Sequence, residues 1–336
     1  MSKAKNPCNL GPFALWAIAL TIAIAAMASP AYAQTYPTKP IIMIVPVNPG
    51  GPLDTMARLI AQPLAKILGQ AVVVENRAGA SQKIGVLKML SAPKDGYTIA
   101  VVSPASMTIN PLLDRAVGYD PLKDFTYLSE TVSYSYVLAA HPSLPVKSLP
   151  QLVAYVKANP DKIAYGTGGS GTAIHFATQQ LLQKLGIAIL PVHYKGDGPA
   201  LMDLLAGQVQ VMVAPTGAAR PFVESGKLIP LAFSGPERLA ELPNVPTYKQ
   251  TGIKSLENFS TLSWLGVVAA DGIPPEAEKK LYDALVKALQ LPEVRKSLEG
   301  AGFQVVGSTP AEFASMVRTS LEDHRKVIES GAIKPE

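Results

Sequence analysis

The stretch from residue 41 to residue 68, IIMIVPVNPGGPLDTMARLIAQPLAKIL, decides how the rest of the chain is read. Its opening, Ile41 to Pro46, is a β-branched apolar run that reads as a buried strand. Met56, Leu59, Ile60, Leu64, Ile67 and Leu68 then recur at helical spacing. Between them lies Asn48-Pro49-Gly50-Gly51-Pro52. Adjacent glycines allow positive φ and close approach of the backbone to a ligand. Pro52 suits the first turn of a helix, where the opening amides lack partners. The turn is either an anion cradle or a plain strand-to-helix corner, since Pro-Gly-Gly is also ordinary turn chemistry. Pro63, inside the helical pattern, predicts a kink.

The same unit recurs downstream. Ala71 to Asn76 reads as a strand, Ile84 to Ser91 as a helix and Tyr97 to Val102 as a third strand. Strand-helix alternation implies a parallel sheet covered by helices, with ligands beyond the carboxyl ends of the strands. That rule puts the loops at Val47 to Leu53, Arg77 to Lys83 and Ser103 to Thr108 on one rim. Tyr134 to Ala140 is a further strand and Leu149 to Ala158 a helix. Ile163-Ala164-Tyr165 then enters the glycine-rich turn from Gly166 to Thr172, and a helix follows. Val192 to Tyr194, Val209 to Val213 and Ile229 to Phe233 read as strands with helices between them, which makes a second sheet with its own rim. Pro236 to Ser260, rich in Pro, Gly and Asn, reads as surface crossing. Trp264 to Ala269 returns to strand character, and helices follow at about 275–289, 292–300 and 310–330. A tail with one strand cannot form a third sheet domain, so it is expected to complete the first.

At the N-terminus, Lys3 and Lys5 precede an apolar run from Leu10 to Ala28 and an Ala31-Tyr32-Ala33 ending. This is the pattern of a secretory signal peptide over residues 1–33, cleaved before Gln34 and giving a periplasmic product. Cys8, the only cysteine, lies ahead of the apolar run and leaves with it. The mature chain then has no disulfide, thiol nucleophile or cysteine metal site. It keeps 28 Lys and Arg against 25 Asp and Glu, an excess of three and no nucleic-acid footprint.

The turn from Gly166 to Thr172 lacks the lysine of a P-loop, since Thr172 stands in its place. It also lacks the second glycine of a nucleophile elbow, because Gly171-Thr172 follows Ser170. Amides with the hydroxyls of Thr167, Ser170 and Thr172 remain, which suits holding an oxyanion or, alternatively, capping a helix. His141, His175, His193 and His324 include no pair at metal-ligand spacing on one helix, so no metal and no cofactor is expected. His175 either touches ligand or is fixed by packing, and Asp54 serves the dipole of its helix whether or not it meets ligand. Lys83, Lys195 and Arg220 are candidate counter-charges or ordinary solvated side chains.

Several ordered motifs resemble one family. Val45-Pro46 with Pro49-Gly50-Gly51 and Asp54, and then Val73 to Ala80, are similar to the extracytoplasmic solute receptors of the tripartite tricarboxylate transporter, or Bug-type, family. So are Asp95-Gly96-Tyr97-Thr98, Tyr119 to Phe125, Tyr194-Lys195-Gly196, Leu204 to Val209, Leu242 to Thr247 and Gly331 to Glu336. The resemblance implies an α/β fold: a two-lobed periplasmic binding protein, type II-like and of the Venus-flytrap kind, each lobe a mainly parallel sheet flanked by helices. Lobe 1 is expected at 34–134 plus 260–336 and lobe 2 at 135–259. It further implies a monomeric, non-enzymatic receptor that takes a small carboxylate and hands it to membrane transporter subunits or to a sensor protein. An exported hydrolase, with Ser170 as nucleophile and His175 as base, is the rival.

By the same resemblance the ligand is held by Val47, Asn48, Gly50 and Gly51 in one lobe and by Thr167, Gly168, Ser170, Gly171, Thr172 and His175 in the other. Ser103 to Ser106 and Pro215-Thr216 line the remainder. The chain departs from the family pattern at Val47, where an aromatic is common, and at Asn48, where a small residue is. It departs again at Ser81-Gln82-Lys83, in place of a glycine-rich run, and at Ala214-Pro215-Thr216, where an acid is often found. Lys83 adds a cation there, and is expected to pair with a second carboxylate of the ligand.

Overall fold

The computed structural model describes residues 36–329, so the signal-peptide reading falls outside the described residues. The opening stretch folds as β1 (Ile41–Val45) and α1 (Pro52–Leu68). Met56, Ile60 and Leu64 of α1 are fully buried, each contributing about 1.5–3 kcal/mol by removal from water. α1 continues through Pro63, whose missing N–H leaves the Leu59 carbonyl without its usual helical donor. It ends on Gly69 in the left-handed region, whose N–H reaches the Ala65 carbonyl.

The next elements are β2 (Val72–Asn76), α2 (Lys83–Leu90) and β3 (Thr98–Val102). A π-turn at Ala105–Ile109 then runs into the short α3 (Asn110–Leu113). β1 pairs in parallel with β2 on one side and β3 on the other. β4 (Phe125–Ala140) is sixteen residues long and starts nine residues before the strand expected from the sequence. α4 (Leu149–Ala158), β5 (Ala164–Thr167), α5 (Ala173–Leu185), β6 (Leu190–His193) and α6 (Asp197–Leu205) follow. After them come β7 (Val211–Pro215), α7 (Thr216–Glu224) and β8 (Ile229–Phe233). β5 pairs in parallel with both β6 and β7.

The tail comprises β9 (Leu262–Ala270), α8 (Pro275–Gln290), α9 (Pro292–Gly300), β10 (Phe303–Val305) and α10 (Pro310–Glu329). β9 lies antiparallel between β3 and the first half of β4, and α8 packs on α1. The sheet order is β2-β1-β3-β9-β4-β7-β5-β6, with β8 and β10 also paired to β4. Each flank is thus a set of three parallel strands, and antiparallel β4 and β9 join them. Both flanks turn the carboxyl ends of their strands toward glycine-rich helix starts, as the opening stretch implied. The segment expected as surface crossing is better packed than its composition suggests: Leu242, Val245, Tyr248 and Leu256 are all buried.

Candidate functional site

A cavity of about 300 Å³ is walled by loops from both flanks of the sheet. From the first flank come Val47 to Leu53, Gln82 and Ser103; from the second come Gly168, Thr172 to Ile174 and Lys195 to Pro199, with Tyr134 of β4 between. Three helices begin at its wall. α1 has Gly51 at its N-cap and α6 has Gly196, so neither start carries a side-chain cap. α5 is capped by Thr172, whose hydroxyl accepts from the His175 amide at 3.3 Å. Each helix start carries roughly half a positive charge on outward-pointing amides, so three together favour an anion.

The loop after β1 is held in shape by Asp54. Its buried carboxylate accepts from the Gly50 amide at 3.0 Å, from Arg58 Nε at 2.9 Å and from Asn76 Nδ2 at 2.9 Å. Asn76 Nδ2 also donates to the Val47 carbonyl at 3.0 Å, and Asn76 Oδ1 accepts from Arg58. Burial alone would raise the Asp54 carboxyl; the bonds from Arg58, Asn76 and Gly50 and the charge of Arg58 outweigh it and hold the group below the ordinary carboxylate range. Asp54 is therefore absent from the cavity wall while fixing two residues, Val47 and Gly50, that form it.

Lys83 is also away from the wall. Its ammonium bonds Asp114 at 2.8 Å and the Ala116 carbonyl, so the charge expected to meet ligand is neutralised within its own flank. Ser103 reaches the wall, its hydroxyl donating to Gln82 Oε1 at 2.9 Å, whereas the Ser106 hydroxyl is buried in bonds to the Ser103 backbone. Thr167 is buried, and its hydroxyl lies 3.3 Å from that of Thr172. His175 Nδ1 accepts from the Gly171 amide at 3.3 Å, and its ring stands edge-on to His193. The Thr216 hydroxyl donates to the Ser135 carbonyl at 2.9 Å, and Pro215 lines a neighbouring cavity of about 250 Å³.

Among the described residues two hydrogen bonds join the rims. Asn48 Nδ2 donates to the Lys195 carbonyl at 3.3 Å, and the Ser81 hydroxyl donates to the Ser170 carbonyl at 2.7 Å. The loop that presents Ser81 is strained: Ala80, Ser81 and Gln82 all have positive φ, at 44°, 47° and 82°. Asn110 Nδ2 holds it by bonding the Ser81 carbonyl.

Sequence reasoning did not assign to the site Gln82, Tyr134 or the third helix start, at Gly196-Asp197-Gly198-Pro199. The signal of that helix start was present, because glycines beside a proline at a helix start repeat the chemistry of Gly50-Gly51-Pro52. A second, larger groove of about 640 Å³ between α5, β9 and α10 includes Glu312 and Asp323 in its wall, which disfavours an anion. Among the described residues no group of three or more His, Cys, Asp or Glu is placed to hold a metal, and no helix is long and apolar enough to cross a membrane.

A sheet with two parallel flanks joined by antiparallel strands, and a cavity fed by loops of both, defines a two-lobed α/β binding protein, type II-like in its strand order. Residues 56–333 match the model of the tripartite tricarboxylate transporter family receptor, and the chain belongs to that family. It is 34% identical to protein BugT of Bordetella pertussis over 317 residues, 94% of this chain and 96% of that one. Among solved structures it resembles R. palustris Rpa4515 with adipate, at 31% identity and a TM-score of 0.84, over 90% of this chain and all of the other. It also resembles the periplasmic binding protein BugD, at 31% identity and a TM-score of 0.83, with the same coverage. The family and these structures are binding proteins, which removes the hydrolase reading.

Proposed function

We propose that the chain is a periplasmic receptor that captures a small organic carboxylate between its lobes and delivers it to a tripartite tricarboxylate-type membrane transporter. The observation that carries this reading is the convergence of three helix starts, two without any side-chain cap, on one cavity walled by both flanks. Amides fixed by the fold recognise a carboxylate without a bound cation of their own. The family description and the adipate of one similar structure support the carboxylate class. In this reading Val47 to Leu53, Gln82 and Ser103 contact ligand from lobe 1, at 34–134 plus 260–336. Gly168, Thr172 to Ile174 and Gly196 to Pro199 contact it from lobe 2, at 135–259. Asp54 and Lys83 act behind the wall, and the leader of residues 1–33 directs export.

Thermal unfolding of the chain from Gln34 against small carboxylates, with the matching amides as neutral controls, tests the proposal. Ligand at a hundredfold excess over its Kd adds about 2.7 kcal/mol to stability. Stabilisation by adipate or another carboxylate, and not by its amide, is the expected result. Failure of every carboxylate to stabilise the chain overturns the reading.

A further inference from the structure

Asp197 opens α6 with its carboxylate at the cavity wall. Gly168 makes room for it: a Cβ there would sit 2.1 Å from Asp197 Oδ1. The backbone fixes this contact, since the Gly196 N–H donates to the Gly168 carbonyl at 3.1 Å. Among the described residues no side chain pairs with the carboxylate; Lys195, the other charged residue of the wall, is exposed and forms no ion pair with it. The buried phenols of Tyr134 and Tyr136 feel its negative charge, and burial pushes its carboxyl up to about 6. Above that value the group is an anion set among amides that themselves attract anions.

An unpaired carboxylate in a small cavity is costly unless a donor or cation meets it. A simple dicarboxylate supplies the opposite, a second negative charge close to Asp197. A ligand with a carboxylate for the helix starts and an ammonium for Asp197 satisfies both sets of groups at once. Resting on the carboxylate-receptor reading above, we infer that the ligand is a zwitterionic amino carboxylate, with Asp197 as the residue that selects its ammonium group.

Calorimetric titration at neutral pH with pairs that differ only at one carbon tests this: succinate against aspartate, glutarate against glutamate, adipate against 2-aminoadipate. In the wild-type protein at least one amino form is expected to bind tenfold or more tighter than its plain partner. Asp197→Asn, which keeps the shape and removes the charge, is expected to abolish that preference while plain carboxylates bind equally well or better. Gly168→Ala, which displaces the carboxylate without changing its charge, should weaken the amino form more than the plain one. Plain and amino forms binding alike to the wild type, or a preference that survives Asp197→Asn, would overturn the assignment of Asp197 and leave the receptor reading standing. Binding of no carboxylate of either kind would overturn both.

Discussion

Asp54 shows how a residue outside the cavity governs it. Its three partners are the Gly50 amide, Arg58 and Asn76, and through Asn76 it also positions the Val47 carbonyl. Asp54→Ala takes a buried, charged acceptor away from the Gly50 amide, Arg58 and Asn76, and bonds to a charged group are worth more than neutral ones, so a loss of about 1–3 kcal/mol of stability is expected in thermal or urea unfolding. Ligand affinity should fall as well, because Gly50 and Val47 lose their anchor. The folded carboxyl lies below its ordinary value, so its contribution is present above about pH 4 and disappears as pH falls through the folded value. An Asp54→Ala protein as stable as the wild type at pH 7 would show that the network is incidental. The sequence placed Asp54 in the first turn of a helix, but a carboxylate there satisfies the dipole whatever else it bonds. The same ambiguity hid Asp197, since nothing in one chain of letters tells a carboxylate facing a cavity from one facing water. The ion pair of Lys83 was hidden for a related reason: Asp114, thirty-one residues away, became its neighbour only through the fold.

Among the elements, the strand-turn-helix units were legible because β-branched runs, glycine pairs and helix-start prolines act locally. β4 was legible only in its second half. Its first half carries Ser129 and Thr131, which break an apolar pattern yet are buried, because their hydroxyls donate to the carbonyls of Ser308 and Leu265. Those partners lie more than a hundred residues away, beyond the reach of any periodicity. The loop of Ala80 to Gln82 yields an element-scale prediction. Left-handed backbone at Ser81 costs about 1–2 kcal/mol that glycine does not incur. After the loss of chain stiffness in the unfolded state, Ser81→Gly should leave stability unchanged or raise it by up to about 1 kcal/mol. It also removes the bond to Ser170, so ligand affinity should drop roughly two- to tenfold. Calorimetry beside thermal unfolding reads both effects, and unchanged affinity would show that this rim contact does not help hold the ligand.

α10 supplies a second test at this scale. The Thr108 hydroxyl gives its proton to the Pro104 carbonyl, so the ring N–H of His324 must donate to Thr108 Oγ1, 2.9 Å away. Burial pushes the imidazole down to about 4, against a small opposing effect of Asp323. Between about pH 6.5 and 4 the unfolded chain binds a proton that the folded chain refuses, so stability falls with pH over that window. The whole effect is at most about 3 kcal/mol. Burial raises Glu130 and Asp197 to about 7 and about 6, and these groups slope the opposite way, their stabilisation growing as pH falls. The measurement is therefore a difference between two proteins. The pH dependence of stability of His324→Gln, subtracted from that of the wild type, should retain the histidine slope alone; parallel curves from pH 7 to 4 would contradict its burial as a neutral ring.

For the whole molecule the question is how ligand and closure are coupled. Among the described residues two hydrogen bonds join the rims, at Asn48 and Ser81, and neutral bonds of this kind contribute about 0.5–1.5 kcal/mol each. Turning a mostly open population into a mostly closed one takes about 5.5 kcal/mol of differential binding. The rim bonds are too weak for that, so in the proposed receptor the ligand is expected to supply the larger part by touching both walls of the cavity. Closure is then expected to be a population shift driven by contacts available only in the closed form. Val73 on β2 and Leu190 on β6 allow this to be measured, because they are 49% and 62% exposed and stand on the strands at the two ends of the sheet order. Cys8 is the only cysteine of the sequence, so a protein made from Gln34 onward has none, and Val73→Cys with Leu190→Cys takes two labels cleanly. Without ligand the inter-label distances should be broadly distributed, and saturating ligand should shift and narrow them. The same labelled protein carrying Ser81→Gly should need more ligand to reach the same narrow distribution. A distribution that a bound ligand leaves unchanged would mean that the cavity fills without closure, and that the rim bonds form before the ligand arrives.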